Sequence, residues 1–439
     1  MLEIDKKRRI LIVSSLPPHA SANLGQDVML SLKETGYDVD FLTRFEQGSP
    51  EIMFIEKETK KYKSRQASKY SFLHKLKRFI KKLHIKSDKT KNKFVIIHSD
   101  ETHPPVNPSL IIDKINKPYN FVIVLFWQGM LTANSLEQIY DKVKVPLFVL
   151  AMDMFPFTGG CFYFWDCRNF IHTCCGNCPG LNSNDENDPT RKNFLYKQKV
   201  YHHIQCIFLG NSWIKSFVDQ TPVTAGKPVR EIILVINESI FKVRNKQSVR
   251  TEFKLNSHEF IIFAGAPNLE EERKGFTYLV QAIKLFSQTL SAEERSKVVL
   301  LLAGNTTGIM QPFFDIEVRE VGFLEYENLA KVYSMADVYV SPSIEDAGPS
   351  MVNQSIMSGT PVVAFNVGVA QDIVLTGETG YRAGLMNAED FAKGIQYIYK
   401  LTEEDRLIMQ HKCRELGLKS FSYAAFAGKI KQYDQEFCK

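Results

Sequence analysis

The chain contains no apolar run of the roughly 20 residues needed to cross a bilayer as a helix. Its best candidate, FVIVLFWQGML at 121–131, is short and holds Gln128 and Gly129. The opening stretch MLEIDKKRRILIVSSLPPH has too brief an apolar segment, and no small-residue cleavage site after it, to read as a secretion signal. A cytoplasmic protein is therefore expected. No self-similar period is present, which argues against solenoids and propellers. No base-reading module accompanies the basic residues, so no nucleic-acid partner is expected. Cysteine is sparse except in one place: five of the eight lie between 161 and 178.

What is present fits a two-domain enzyme-sized protein. A chain of 439 residues exceeds the size at which one core stops growing, about 250–300 residues. Buried-strand patterns alternate with helical ones: RILIVS, then ANLGQDVMLSLKETG ending at Gly36, then YDVDFLT. Strand, helix, strand in this order predicts a parallel sheet. FVIIHS (94–99), FVIVLFW, PLFVLAMD, IQCIFLGNS and EIILVI continue the first series. The polar segment 242–258 reads as a linker. FIIFAGA, KVVLLLAG, IEVREVGF, DVYVSP and PVVAF then form a second series with helices between. The expected fold is α/β, two doubly wound Rossmann-like domains facing a cleft. Their bounds are 1–245, with a Cys-rich insertion at 154–200, and 246–439, whose last helices are candidates for packing back on the first domain.

Residues 57–93 hold 15 Lys and Arg against Glu58 and Asp88, although the whole chain is only +6. The remainder is thus net acidic, and the positive charge is a local patch. Helical spacing gathers Phe72, Leu76, Phe79, Ile80 and Leu83 on one face, with Lys75, Lys77, Arg78, Lys81 and Lys82 largely around the other. A basic amphipathic helix suits an anionic membrane surface; a helix packed on its own domain is the plainer alternative.

Cys161, Cys167, Cys175 and Cys178 have the compact spacing of a structural zinc site, with Cys174 competing for the third place. An iron–sulfur cluster, buried free thiols and disulfides are the competing readings. His172 and His202 are further candidate ligands.

KGFTYLVQAI, VGFLEYENLAKVYSMADVYVSPS, SIEDAGPSMVNQSIMSGTPVVAF and GETGYRA together resemble the C-terminal half of family 4 glycosyltransferases, over about 260–385. DMFPFTGGCFYFWDC, CGNCPGLNS and VINESIF look like a subset that builds bacterial surface polysaccharides. The resemblance implies the GT-B fold and a nucleotide-diphosphate sugar as donor. It also implies retention of anomeric configuration, no catalytic metal, and a lipid-linked or oligosaccharide acceptor met at the inner membrane face. Lys274 and Glu345 match the family's diphosphate-gripping lysine and first carboxylate. Gly348, Pro349 and Ser350 start a helix whose free N–H groups suit phosphate. Asn353 stands where the family has a second Glu that bonds the ribose. Ala266 stands where an Arg often follows the strand-end Gly, and Arg273 is a candidate to replace that charge. Asp153, at a strand end of the first domain, is a candidate for binding acceptor, against a turn-capping role. A non-catalytic sugar-nucleotide-binding scaffold and a sugar-nucleotide epimerase are the alternative functions.

Overall fold

A computed structural model describes residues 7–47, 49, 52–56, 93–95, 100–269, 271–305 and 310–438. It divides into two compact units. The first comprises the described residues up to Glu56, 93–235 and Tyr423 onward; the second is Ile236–Ser422.

Seven strands build the first unit: β1 (Arg9–Ser14), β2 (Asp38–Phe45), β3 (Ile52–Glu56), β4 (Phe121–Val124), β5 (Leu147–Leu150), β6 (Cys206–Gly210) and β7 (Val229–Glu231). They lie in the order β3-β2-β1-β4-β5-β6-β7, and every pairing is parallel. Helices cover both faces of such a sheet, so its inner strands are continuous apolar runs rather than alternating ones. FVIV in β4 and LFVL in β5 are buried throughout. The helix Tyr423–Phe437 belongs to this unit and packs on Ala20–Glu34. Tyr423 donates to Asp27 at 2.8 Å, and Tyr37 to Asp434 at 3.1 Å.

The second sheet has six strands: β8 (Phe260–Asn268), β9 (Val298–Asn305), β10 (Glu317–Gly322), β11 (Val338–Ser341), β12 (Val362–Phe365) and β13 (Gly380–Ala383). Their order is β10-β9-β8-β11-β12-β13, again all parallel. Both sheets therefore reverse their winding beside the first strand of the series, between β1 and β4 and between β8 and β11. Open α/β sheets bind ligands in the crevice outside the strand ends at such a reversal.

Several sequence expectations need revision. Residues 236–245, assigned by sequence to the first domain, fold with the second: Phe241 stacks edge-on against Tyr326, and Arg244 donates to Ser334 at 3.2 Å. The expected linker 242–258 contains a helix, Lys246–Glu252. Its buried anchor is charged, which is why apolar periodicity misses it. Arg250 donates to Asp337 at 2.7 Å, to Met335 O at 3.1 Å and to Ser257 O and Glu259 O at 2.9 Å.

EIILVI at 231–236 was expected to be a strand, but the ladder occupies 229–231. Of the apolar residues beyond it, Ile232, Val235 and Ile236 are buried, and Ile236 N–H bonds Phe421 O at 3.0 Å. The Cys-rich block is the crossover from β5 to β6, and its last part is the ordinary crossover helix Pro189–His203. Strand β3 escaped the sequence reading, and it is an edge strand. The basic amphipathic segment lies almost wholly outside the described residues, as does most of FVIIHS. Among the described residues no helix is long and apolar enough to cross a membrane.

Candidate functional site

The loop after β8 and the loop after β11 flank the winding reversal of the second sheet, and backbone chemistry stitches them together. Glu272–Lys274 forms a single 3-10 turn that ends at Gly275 with φ +65°. Arg273 O accepts the N–H of Ile344 at 2.8 Å and of Glu345 at 3.4 Å. Gly275 is indispensable on two counts. Its φ is left-handed, and a Cβ there would stand 1.8 Å from Pro342 O. Gly275→Ala should cost at least about 1–2 kcal/mol from the backbone conformation alone, with the clash added. Thermal denaturation would measure this, and an unchanged melting temperature would refute the close approach.

This stitching delivers two cations to one carboxylate. Arg273 Nη1 lies 2.8 Å and Lys274 Nζ 2.5 Å from Asp346 Oδ2. Asp346 Oδ1 accepts the N–H of Gly348 at 3.3 Å. Burial alone would push the Asp346 carboxyl up, but Lys274 and Arg273 outweigh it and hold the group below the usual carboxylate range. Arg273 also reaches Glu271 at 2.7 Å. Gly368, at φ +57°, packs its Cα against the same loop; a Cβ there would meet Asp346 O at 2.3 Å.

Asp346 is a residue to which the sequence reading assigned no role. The signal was available: two adjacent basic residues in a loop facing a buried strand end require a counter-charge. Glu345 is buried beside it, and Gly348, Pro349 and Ser350 are half-buried at the start of the helix Ser350–Met357. No side chain caps that helix and its first turn carries no acidic residue, so its dipole is not offset there. Asn353 lies on the helix and is only 2% exposed. Ala266 is buried at the end of β8. Lys274 and Arg273 thus come together with Glu345, Asp346 and Gly348 as one loop cluster at the start of the helix that carries Asn353.

Asp153 stands elsewhere, after β5 in the first unit. Its Oδ1 accepts the Phe155 N–H at 2.8 Å and Oδ2 accepts from Gln128 at 3.3 Å. This is a turn-capping arrangement. Just beyond it, Lys197 is fully buried, donating to Phe155 O at 2.6 Å and Thr158 O at 3.0 Å. Its charge is met by Glu101 at 3.4 Å. His172 and His202 are both exposed.

Two doubly wound parallel-sheet units of this kind in one chain constitute the GT-B fold. Solved structures agree. Sucrose-phosphate synthase of Thermosynechococcus elongatus superposes with a TM-score of 0.64 at 17% identity, over 98% of this chain and 99% of that one. A glycosyltransferase of Rickettsia africae gives 0.63 at 15% identity, over 99% of each chain. HepE of Anabaena, in complex with UDP and glucose, gives 0.59 at 12% identity, over 98% and 100%. Residues 246–416 match the family described as glycosyl transferases group 1. An uncharacterized glycosyltransferase of Methanocaldococcus jannaschii is 25% identical over 239 residues, 52% of this chain and 58% of the relative. An uncharacterized 41.2 kDa protein in the cps region of Klebsiella pneumoniae is 25% identical over 245 residues, 52% and 62%. The matched part of this chain therefore spans about three fifths of each of these two relatives.

Proposed function

We propose that the protein transfers a sugar from a nucleotide-diphosphate donor to a glycan, with retention of configuration. The observation that carries this is the Arg273–Lys274 pair, held on Asp346 beside the uncapped helix at Ser350. A diphosphate is the ligand such a place suits, since it can take over the cations and accept free helix N–H groups. The family match over 246–416 and the UDP complex of a protein with the same fold support the reading.

In the reaction, the bond from the anomeric carbon to the diphosphate oxygen breaks and the oxygen keeps the electron pair. The acceptor hydroxyl attacks from the same face, and its proton passes to the departing phosphate. Lys274, Arg273 and the helix dipole stabilise the charge that develops there. Glu345 lies against the sugar or phosphate region, and Asp153 is the acceptor-side candidate. The likeness to family 4 rests on the ordered motifs over about 260–385, among them Lys274, Glu345 and the helix start at Ser350 that follows it. A lipid-linked surface glycan is the acceptor class favoured by the basic run 57–93 and by the relative in the cps region. That run would lie on the anionic inner face of the membrane.

A panel of nucleotide sugars tests the reading by thermal shift, because a ligand that binds only the folded state raises its melting temperature. Release of nucleoside diphosphate, by transfer or by slow hydrolysis, must accompany the shift. Asn353 and Ala266, where carboxylate and Arg are usual, favour a binding-only scaffold instead; binding with no turnover in any condition would establish that alternative.

Asn353 supplies a narrower test. An amide can both accept from and donate to a ribose diol, a neutral contact worth about 1 kcal/mol. Asn353→Ala should therefore weaken nucleoside-diphosphate binding several-fold by calorimetry. It should leave a 2′,3′-dideoxy analogue unaffected. Equal losses for both compounds would make Asn353 a packing residue.

A further inference from the structure

The four cysteines singled out by their spacing converge on one void in the β5–β6 crossover. Cys161, Cys167, Cys175 and Cys178 line it, together with residues such as Thr158 and Phe164. The void is about 10 Å³, the room that a single ion or water needs. Cys174 is not on its wall, which decides between the two adjacent cysteines in favour of Cys175. All four are free thiols, three of them buried. Among the described residues no group of three or more His, Cys, Asp or Glu is already gathered tightly enough to hold an ion. Closing the site on an ion therefore requires the sulfurs to turn inward, by rotation about Cα–Cβ between staggered positions.

The backbone reaches the void at one sulfur: Gly159 N–H donates to Cys175 Sγ at 3.3 Å. Neutral thiols ask little of such donors, whereas metal-bound thiolates are held and tuned by them. The turn that carries the last pair is wound tightly: Cys174, Cys175, Gly176 and Asn177 all have positive φ, from 45° to 83°. Left-handed non-glycine residues are costly and persist where the surroundings over-determine them.

The segment has little regular structure of its own and is held by packing of Phe155, Phe157, Phe164 and Phe170, each at most 2% exposed. Between 154 and 188 its regular structure is two 3-10 turns and the short helix Asn169–His172. Yet it is pressed hard onto the crossover helix. A Cβ on Gly159 would lie 2.1 Å from Thr190 O, and one on Gly176 would lie 2.2 Å from Glu186 O. Asp188 caps that helix through the Thr190 N–H at 2.8 Å while accepting the Cys178 N–H at 2.9 Å.

We propose that Cys161, Cys167, Cys175 and Cys178 bind one Zn²⁺ ion in a closed tetrahedral site, releasing their four thiol protons to solvent. Zinc fits because four thiolates around one small void make a soft set with no open position and no redox demand. The ion ties residues 161–178 together over the start of the helix Pro189–His203, where Thr190 lines the void. It takes no part in sugar transfer, so its presence and the proposed activity can fail independently.

Elemental analysis of the full chain, purified anaerobically without added metal, should find about one zinc per chain. Replacing zinc by Co²⁺ should give the intense visible and near-ultraviolet absorption of tetrahedral cobalt thiolate. Cys174→Ser should keep the ion, whereas Cys175→Ser and Cys178→Ser should each lose it. The wild-type metal content and the Cys174→Ser control do not depend on whether the ligand variants fold. Metal-free wild-type protein that neither takes up Zn²⁺ nor Co²⁺ would overturn the proposal. So would stoichiometric iron with visible absorption, or retention of zinc by Cys175→Ser.

Discussion

Lys274→Ala should reduce the turnover of nucleotide sugar by about 10²–10³-fold, the usual loss when one preorganised group facing the developing charge is removed. The fold should survive, because Arg273 remains 2.8 Å from Asp346 and no buried carboxylate is left alone. Glu345→Gln, which keeps the shape and removes the charge, should also cut turnover while leaving the melting temperature nearly unchanged. Asp346→Asn separates the parts further. It removes the carboxylate from Lys274 and from Arg273, which keeps Glu271 at 2.7 Å, and both cations, about 15% exposed, can still reach solvent. Binding of nucleoside diphosphate should then tighten or hold while turnover falls, since the carboxylate positions the cations. Near-normal rates in both Lys274→Ala and Glu345→Gln would remove this loop cluster from the chemistry.

Asp337→Ala should be the most destabilising single substitution in the second unit. Asp337 is 5% exposed and meets Arg250 at 2.7 Å, Lys246 at 2.6 Å and the Ile261 N–H at 2.7 Å. Breaking a buried pair from one side costs about 3–5 kcal/mol, because the remaining charge is stranded. For a unit of this size that lowers the melting temperature by on the order of 10 °C. The pH dependence has a definite sign. Burial pushes the Asp337 carboxyl up, but Lys246 and Arg250 prevail and hold it below its ordinary value of 3.8. A depressed folded-state value means the pair stabilises fully above that ordinary value and fades as pH falls through the lowered one. The wild-type melting temperature should accordingly drop below about pH 4, and Asp337→Ala should show a shallower drop. Denaturation followed by circular dichroism between pH 2 and 7 measures both.

These two carboxylates also mark where the sequence is opaque. The strands of both sheets were legible because burial on two faces writes them as unbroken apolar runs: VVLLL in β9 and FIIF in β8 admit no other reading. The 345–353 motif was legible as well, because a close approach of ligand to backbone demands small residues there. Asp346, Asp337 and Arg250 were not. A charged side chain is assumed to face water, and only its charged partners, 72 to 91 residues away in sequence, show that it is buried and paired. The Lys246–Glu252 helix was lost for the same reason. The edge strand β3 was lost because edge strands lack the continuous apolar signature.

The backbone bond between Ile236 and Phe421, at 3.0 Å, has an engineering consequence. Among the described residues the second unit is one continuous stretch, so Ile236–Ser422 is a removable module whose two ends already touch. Expressed alone it should fold, since its sheet, core and Asp337 network are complete within it. The converse holds for the first unit, which is assembled from separate stretches of chain. Deleting Tyr423 onward would strip the Asp27 and Asp434 contacts from a sheet hundreds of residues upstream. A short linker from Val235 to Tyr423 is the way to isolate the first unit.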